Sequence, residues 1–132
     1  MAIPFVKMHG LGNDYVYLDA VTRPDLARRA DLGELALRMS DRHRGVGADG
    51  LIVIGLPDTP DADVRMRIFN ADGGEAEMCG NGVRCVAKFA YDRLGMRGDA
   101  VRVQVGTATP RVLRVDVATD AAGRVASATV DM

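Results

Sequence analysis

The segment from Gly82 to Leu94 constrains the fold more than any other. At 100° per residue, Arg84, Lys88 and Asp92 fall on one narrow stripe. Val83, Cys85, Val86, Ala87, Phe89, Ala90 and Leu94 take most of the remaining circumference, and Arg93 is the one charged exception. A helix of this kind is buried on most sides, so the rest of the chain has to close around it. Gly95 is suited to end it, because glycine accepts the left-handed conformation common just past a helix.

The rest of the chain reads mainly as strands. Phe5 to Met8 and Tyr15 to Asp19 read as strands, the second rich in aromatic and β-branched residues, and His9 to Asp14 between them has the glycines and the Asn-Asp pair of a turn or loop. Leu51 to Ile54 is a wholly apolar strand, preceded by the glycine-rich turn Gly45 to Gly50. Val64 to Ile68, Val101 to Val105 and Val112 to Val117 alternate apolar with polar, so each has one wet face. Val125 to Val130 is a final strand candidate. Half-exposed strands favour antiparallel over fully covered parallel sheet. Pro24 to Asp41 reads as helix, with Asp31 and Glu34 in capping-box spacing and Leu32, Leu35, Ala36 and Met39 at helical spacing. Asn70 to Gly74 is a tight turn. The expected fold class is α+β: a mostly antiparallel or mixed β-sheet wrapped around a central helix.

The 132 residues fit one domain, 1–132. Seventeen basic residues nearly balance eighteen acidic ones, so neither nucleic acid nor an anionic membrane is an expected partner. Met1 to Lys7 lacks the charged and apolar regions of a signal peptide, and Leu51 to Ile54, the longest apolar run, is too short to span a bilayer. The expected location is the cytoplasm. Cys79 and Cys85 are six positions apart; at about 1.5 Å per residue along a helix their Cα atoms stand roughly 9 Å apart, beyond the ~7 Å reach of a disulfide.

Cys79 carries the chemistry. It precedes Gly80-Asn81-Gly82 and the start of the central helix, where Asn81 can act as N-cap. Free amides and the positive dipole end favour negative charge there by roughly 0.3–1 kcal/mol, which depresses a thiol pKa. The same amides can hold a carboxylate. A thiolate beside a carboxylate-binding helix end is equipped to remove a proton α to that carboxylate, since it stabilises charge as it develops. An isolated cysteine is more often a small buried hydrophobe, and that reading fits Cys85, on the apolar arc. Asn13 and Asn70 sit in turn-like sequence, where asparagine is common for backbone reasons. His9 and His43 have no metal-ligand spacing, so no metal is expected. Gly45 to Gly50 lacks the Lys and Ser/Thr of a phosphate loop.

Four motifs in order, Lys7 to Asp14, Gly45 to Gly50, Phe69 to Gly73 and Cys79 to Cys85, resemble those of diaminopimelate epimerase. The resemblance implies a cofactor-independent amino-acid isomerase of lysine and cell-wall precursor synthesis, interconverting L,L- and meso-diaminopimelate. It implies two pseudo-symmetric domains with the active site between them and one cysteine from each facing the α-carbon. Cys79 matches the catalytic cysteine of the first domain. Asn13, Asn70, Gly80 and Asn81 match substrate-binding positions. No contact is carried to Gly50, where some members have Gln.

The second domain, with its Cys-Gly-Thr-Gly motif, has no counterpart in these residues, so one thiol is expected to leave the chain inactive alone. It reads as a fragment; a separate polypeptide supplying the other half, or two copies pairing as a homodimer, are the other arrangements. The rival functions are a proline or hydroxyproline racemase of the same fold and a non-catalytic half-domain that binds an amino acid or a partner chain.

Overall fold

A computed structural model describes residues 3–10, 13–77, 80–96 and 98–131. In chain order the strands are β1 Val6–Gly10, β2 Asn13–Asp19, β3 Gly50–Gly55, β4 Val64–Asn70, β5 Glu75–Ala76, β6 Ala100–Val105, β7 Arg111–Thr119 and β8 Val125–Asp131; the α-helices are α1 Leu32–Ser40 and α2 Gly80–Leu94. One sheet runs β1-β2-β3-β4-β6-β7-β8, with the short β5 on β4. The pairs β2–β3 and β4–β6 are parallel and the other five are antiparallel.

The sheet is curled around α2. Laid flat, six inter-strand steps of about 4.8 Å would make it roughly 29 Å wide, far wider than a helix of about 10–12 Å. Yet α2 packs against β1 and β8, the two ends of the strand order, and against β2, β4, β6 and β7 between them. Val83, Cys85, Val86, Ala87, Phe89 and Ala90 of α2 are buried, in one cluster with Tyr15, Tyr17, Ile52, Ile54, Val64, Met66, Ile68, Val101, Val103 and Val105. The narrow polar stripe is where the sequence puts it: Lys88 is exposed, Arg84 and Asp92 are half-buried. Beyond Gly95, at φ 72°, the Met96 amide folds back onto the Ala90 carbonyl.

A second cluster fills the outer face of the β2–β3–β4 region. Val16, Leu18, Leu51, Val53 and Phe69 meet Leu26 of a 3₁₀ helix, Pro24–Arg28, and Leu32, Leu35 and Ala36 of α1. With both faces covered, all six residues of β3 are buried, as its unbroken apolar run implies. In β4, Val64, Met66 and Ile68 point to the core while Arg65 and Arg67 are only partly covered, and the Arg67 guanidinium lies over the Phe69 ring at 5.1 Å. Strand β7 shows the wet face directly: Arg114 and Asp116 are exposed between buried Leu113 and Val115.

Three local expectations differ from the structure. Pro24 to Asp41 is not one helix: the 3₁₀ helix ends at Arg28, Arg29 is extended (ψ 133°), and α1 starts at Leu32. Asp31 precedes α1 but its side chain makes no cap; both its carboxylate oxygens accept from Arg29, at 2.8 and 2.7 Å. A charged fork two residues away takes the carboxylate before a helix amide can. Last, His9 to Asp14 is not a turn or loop over its whole length: His9, Gly10, Asn13 and Asp14 belong to the strands. The strands β1 and β2 extend to Gly10 and Asn13, which pair. Among the described residues no helix is long and apolar enough to cross a membrane.

Candidate active site

The register gathers the sequence-predicted residues at one end of the curled sheet. Asn13 opens β2 there. Gly50 opens β3, beside Tyr15 of β2 and opposite Asn70, the last residue of β4. Strands β4 and β6 are parallel, so the turn after Val105 emerges at this end too. The direction of α2 follows from its other terminus. Asp92 accepts a hydrogen bond from the Val125 amide at 3.0 Å, and Val125 pairs with Thr119 at the far end of β7. The start of α2, Gly80 and Asn81, therefore lies at the end that holds Asn13 and Asn70.

The backbone of each predicted residue has a place in the fold, with one exception. Cys79 lies outside the described residues, immediately before the first residue of α2. Asn13 is fixed through its backbone in the β1–β2 ladder, and its side chain lies outside what the structure describes. Asn70 is exposed, at the mouth of a tight turn in which its amide donates to the Gly74 carbonyl at 2.8 Å and its carbonyl accepts from Gly73 at 2.9 Å. Gly80 and Asn81 are half-buried. Asn81 is not the N-cap: it is the second residue of α2, and its Oδ1 accepts from the Arg84 Nη1 at 3.3 Å. Cys85 is a free thiol buried in the core.

Gly50 is the hinge of this geometry. A Cβ there would stand 2.5 Å from the Phe69 carbonyl oxygen and 3.1 Å from the Tyr15 ring. Only a residue without a side chain lets β3 pass between Tyr15 and Asn70 at this separation.

Two charged networks brace the same end, and sequence reasoning missed both. Next to Asn13, the Asp14 amide donates to Asp49 Oδ2 at 2.8 Å and the Asp49 amide donates to the Asp14 carbonyl at 2.6 Å. Lys7 pairs with Asp14 at 3.1 Å, and Arg42 with Asp49 at 3.2 Å. Next to Asn70, Glu75 takes both prongs of Arg67, at 3.0 and 3.1 Å, and a hydrogen bond from the Thr107 hydroxyl at 2.9 Å. The Arg67 guanidinium holds the Glu75 carboxyl below the usual glutamate range, against a smaller opposing effect of burial. Two residues on, Glu77 accepts from the Thr107 and Ala108 amides at 2.6 and 3.0 Å. The alternation Glu75, Glu77 was a visible signal that both face one way from a strand, but the Thr107 and Ala108 groups they share lie some thirty residues ahead.

The chemistry available at this end is hydrogen bonding and anion binding: the opening amides of α2 and the exposed Asn70. Among the described residues no three His, Cys, Asp or Glu side chains are grouped so as to hold a metal ion.

The family model of diaminopimelate epimerase matches residues 5–125. The diaminopimelate epimerase of Heliobacterium modesticaldum is 47% identical over 130 residues, covering 97% of this chain and 43% of the relative. That of Desulfovibrio desulfuricans is 48% identical over 132 residues, covering 100% of this chain and 42% of the relative. The chain thus spans less than half the length of the curated relatives it matches. Among solved structures, a methylitaconate-delta-isomerase superposes with a TM-score of 0.69 at 23% identity, over 95% of this chain and 62% of that one. A PhzF-family phenazine biosynthesis protein of Bacillus anthracis gives 0.57 at 18% identity, over 93% and 37%. At such identities the structural likeness shows the fold alone.

Proposed function

The chain belongs to the diaminopimelate epimerase family, and on that premise we propose that residues 1–132 form the first-domain half of an enzyme that interconverts L,L- and meso-diaminopimelate without a cofactor, in lysine biosynthesis. The observation that carries the proposal is the convergence of Asn13, Asn70 and the start of α2 at one end of the sheet, with Cys79 the residue before that helix.

In this mechanism the Cys79 thiolate takes the α-proton and becomes a thiol. The electron pair left on carbon delocalises into the α-carboxylate, where the opening amides of α2 face the growing charge. A thiol on the opposite face then gives its proton to the carbon and becomes a thiolate, which inverts the centre. Asn13 and Asn70 hold the polar groups of the second amino-acid centre. The opposite acid cannot be Cys85, which is buried in the core, so it comes from outside these 132 residues.

Timed alkylation with iodoacetamide, read by peptide mass spectrometry, tests the assignment. Cys79 is expected to react at least about tenfold faster than Cys85 at pH 7, as a partly ionised thiol against a sealed one. L,L-diaminopimelate should slow Cys79 alkylation, and proline should not. The chain alone should give negligible epimerisation in D2O. Equal reactivity of the two thiols would refute the catalytic role; robust turnover by the chain alone, surviving in Cys79→Ala, would refute the mechanism.

A further inference from the structure

The turn that carries Asn70 is held by two elements far from it in the sequence. Asn70 ends β4 and continues the row Val64, Met66 and Ile68, whose side chains lie in the cluster around α2. Strand alternation puts it on the same face. Beyond it the turn closes on itself: the Asn70 amide donates to the Gly74 carbonyl and the Gly73 amide to the Asn70 carbonyl, at 2.8 and 2.9 Å.

The first anchor is α1, which packs on β3 and β4. Gly33, the second residue of α1, meets Gly73 backbone to backbone. A Cβ on Gly33 would stand 2.5 Å from the Gly73 carbonyl oxygen, and a Cβ on Gly73 would stand 2.8 Å from the Gly33 carbonyl oxygen. Gly73 also sits at φ 91°, a conformation that suits glycine. Gly33 has no positive φ, and glycine is a poor helix former, so what it supplies in α1 is the close approach. The second anchor is on the other arm of the hairpin. Glu75 pairs with Phe69 and accepts from the Thr107 hydroxyl at 2.9 Å, and Glu77 accepts from the Thr107 and Ala108 amides. The turn is thus fixed at Gly73 by α1 and at its base by the β6–β7 turn, while Asn70 itself is exposed.

We propose that Gly33 and Thr107 are positioning residues for Asn70: they grip its turn from α1 and from the β6–β7 turn, and so set where the Asn70 carboxamide is presented at the site end of the sheet. The inference rests on the reading of Asn70 as a substrate-binding residue. A methyl group at position 33 has to push the turn away by about half an ångström, from 2.5 Å to the 3.0 Å that real Cβ atoms respect. A hydrogen bond weakens over displacements of that size, because its donor–acceptor range is narrow.

Two measurements on the full chain test this. Amide hydrogen exchange by NMR reads the turn without a ligand. Gly33→Ala should speed exchange of the Asn70 and Gly73 amides by about tenfold and leave the Ile52 and Val53 amides of β3 unchanged. Thr107→Val, which removes only the hydroxyl bond to Glu75, should act less in the same direction, and it decides the matter if the alanine variant does not fold. Calorimetric titration with L,L-diaminopimelate then reads the site. Gly33→Ala and Asn70→Ala should each weaken binding about three- to tenfold, the loss of one hydrogen bond. The double variant should be no weaker than Asn70→Ala, because a positioning residue acts only through the group it positions. Additive losses, or unchanged exchange in both positioning variants, overturn the grip. Absence of diaminopimelate binding, or an Asn70→Ala affinity equal to the wild type, overturns the reading of Asn70 itself, which is a different result.

Discussion

Replacing Gly50 with alanine is the smallest change that should disturb both the fold and the candidate site. The added Cβ would meet the Phe69 carbonyl oxygen at 2.5 Å and the Tyr15 ring at 3.1 Å, where real Cβ atoms do not come within 3.0 Å. The β3–β4 separation must therefore open by about half an ångström at the Gly50–Asn70 pair. Both strands are clamped from either face, by α2 within and by α1 outside, so the strain cannot relax outward. Overpacking of this kind costs about 1–3 kcal/mol, or a fall of roughly 4–12 °C in Tm for a domain of this size. Gly55, at the other end of the same strand, is the control. A Cβ there meets only the Ala20 and Ala27 methyl carbons, at 3.8 and 3.9 Å. Gly55→Ala should be neutral or stabilise by up to about 1 kcal/mol, because it restricts the unfolded chain. Thermal and urea unfolding followed by circular dichroism measures both. Equal stability of Gly50→Ala and the wild type, or equal losses in the two variants, would refute the close-approach argument.

Two further outcomes follow from the packing and charge. Glu75→Gln removes the Arg67 ion pair. Because the folded carboxyl is held below its unfolded pKa of about 4.3, its contribution is complete above that pH and is lost as the pH falls through the lowered folded value. The pair is partly exposed, so the variant should lose only about 0.2–1 kcal/mol at pH 7, and urea midpoints of the two proteins should converge as the pH falls below the ordinary glutamate range; a gap that stays constant would refute it. Ile68→Ala opens a cavity between the sheet and α2 and should cost about 2–5 kcal/mol by urea titration. Leu37, half-exposed on α1, should tolerate alanine within about 0.5 kcal/mol; similar losses at both positions would mean that the core is misplaced.

Most of the strands, the buried helix and its end at Gly95 could be read in the sequence, because each depends on local periodicity or on the conformational freedom of one residue. Leu51 to Ile54 announces a strand covered on both sides by having no polar position. Where reading failed, a nearby competitor won. Asp31 has the spacing of a cap, but Arg29 takes its carboxylate. Asn81 looks like an N-cap, but α2 begins one residue earlier. Gln104 falls on the polar beat of β6 yet is buried, because its side chain exchanges hydrogen bonds with Asp58 of the loop before β4.

The sequence by itself determined that a helix apolar nearly all round must be enclosed, and that a cysteine stands at its start. It did so because helical periodicity and helix-end chemistry are properties of consecutive residues. Only the tertiary structure decided that Asn13, Gly50 and Asn70 share the end of the sheet where that helix opens, and that Glu77 meets a turn thirty residues onward. Those neighbours are set by strand order and by the direction of two parallel pairings, and no local pattern encodes which strand lies next to which.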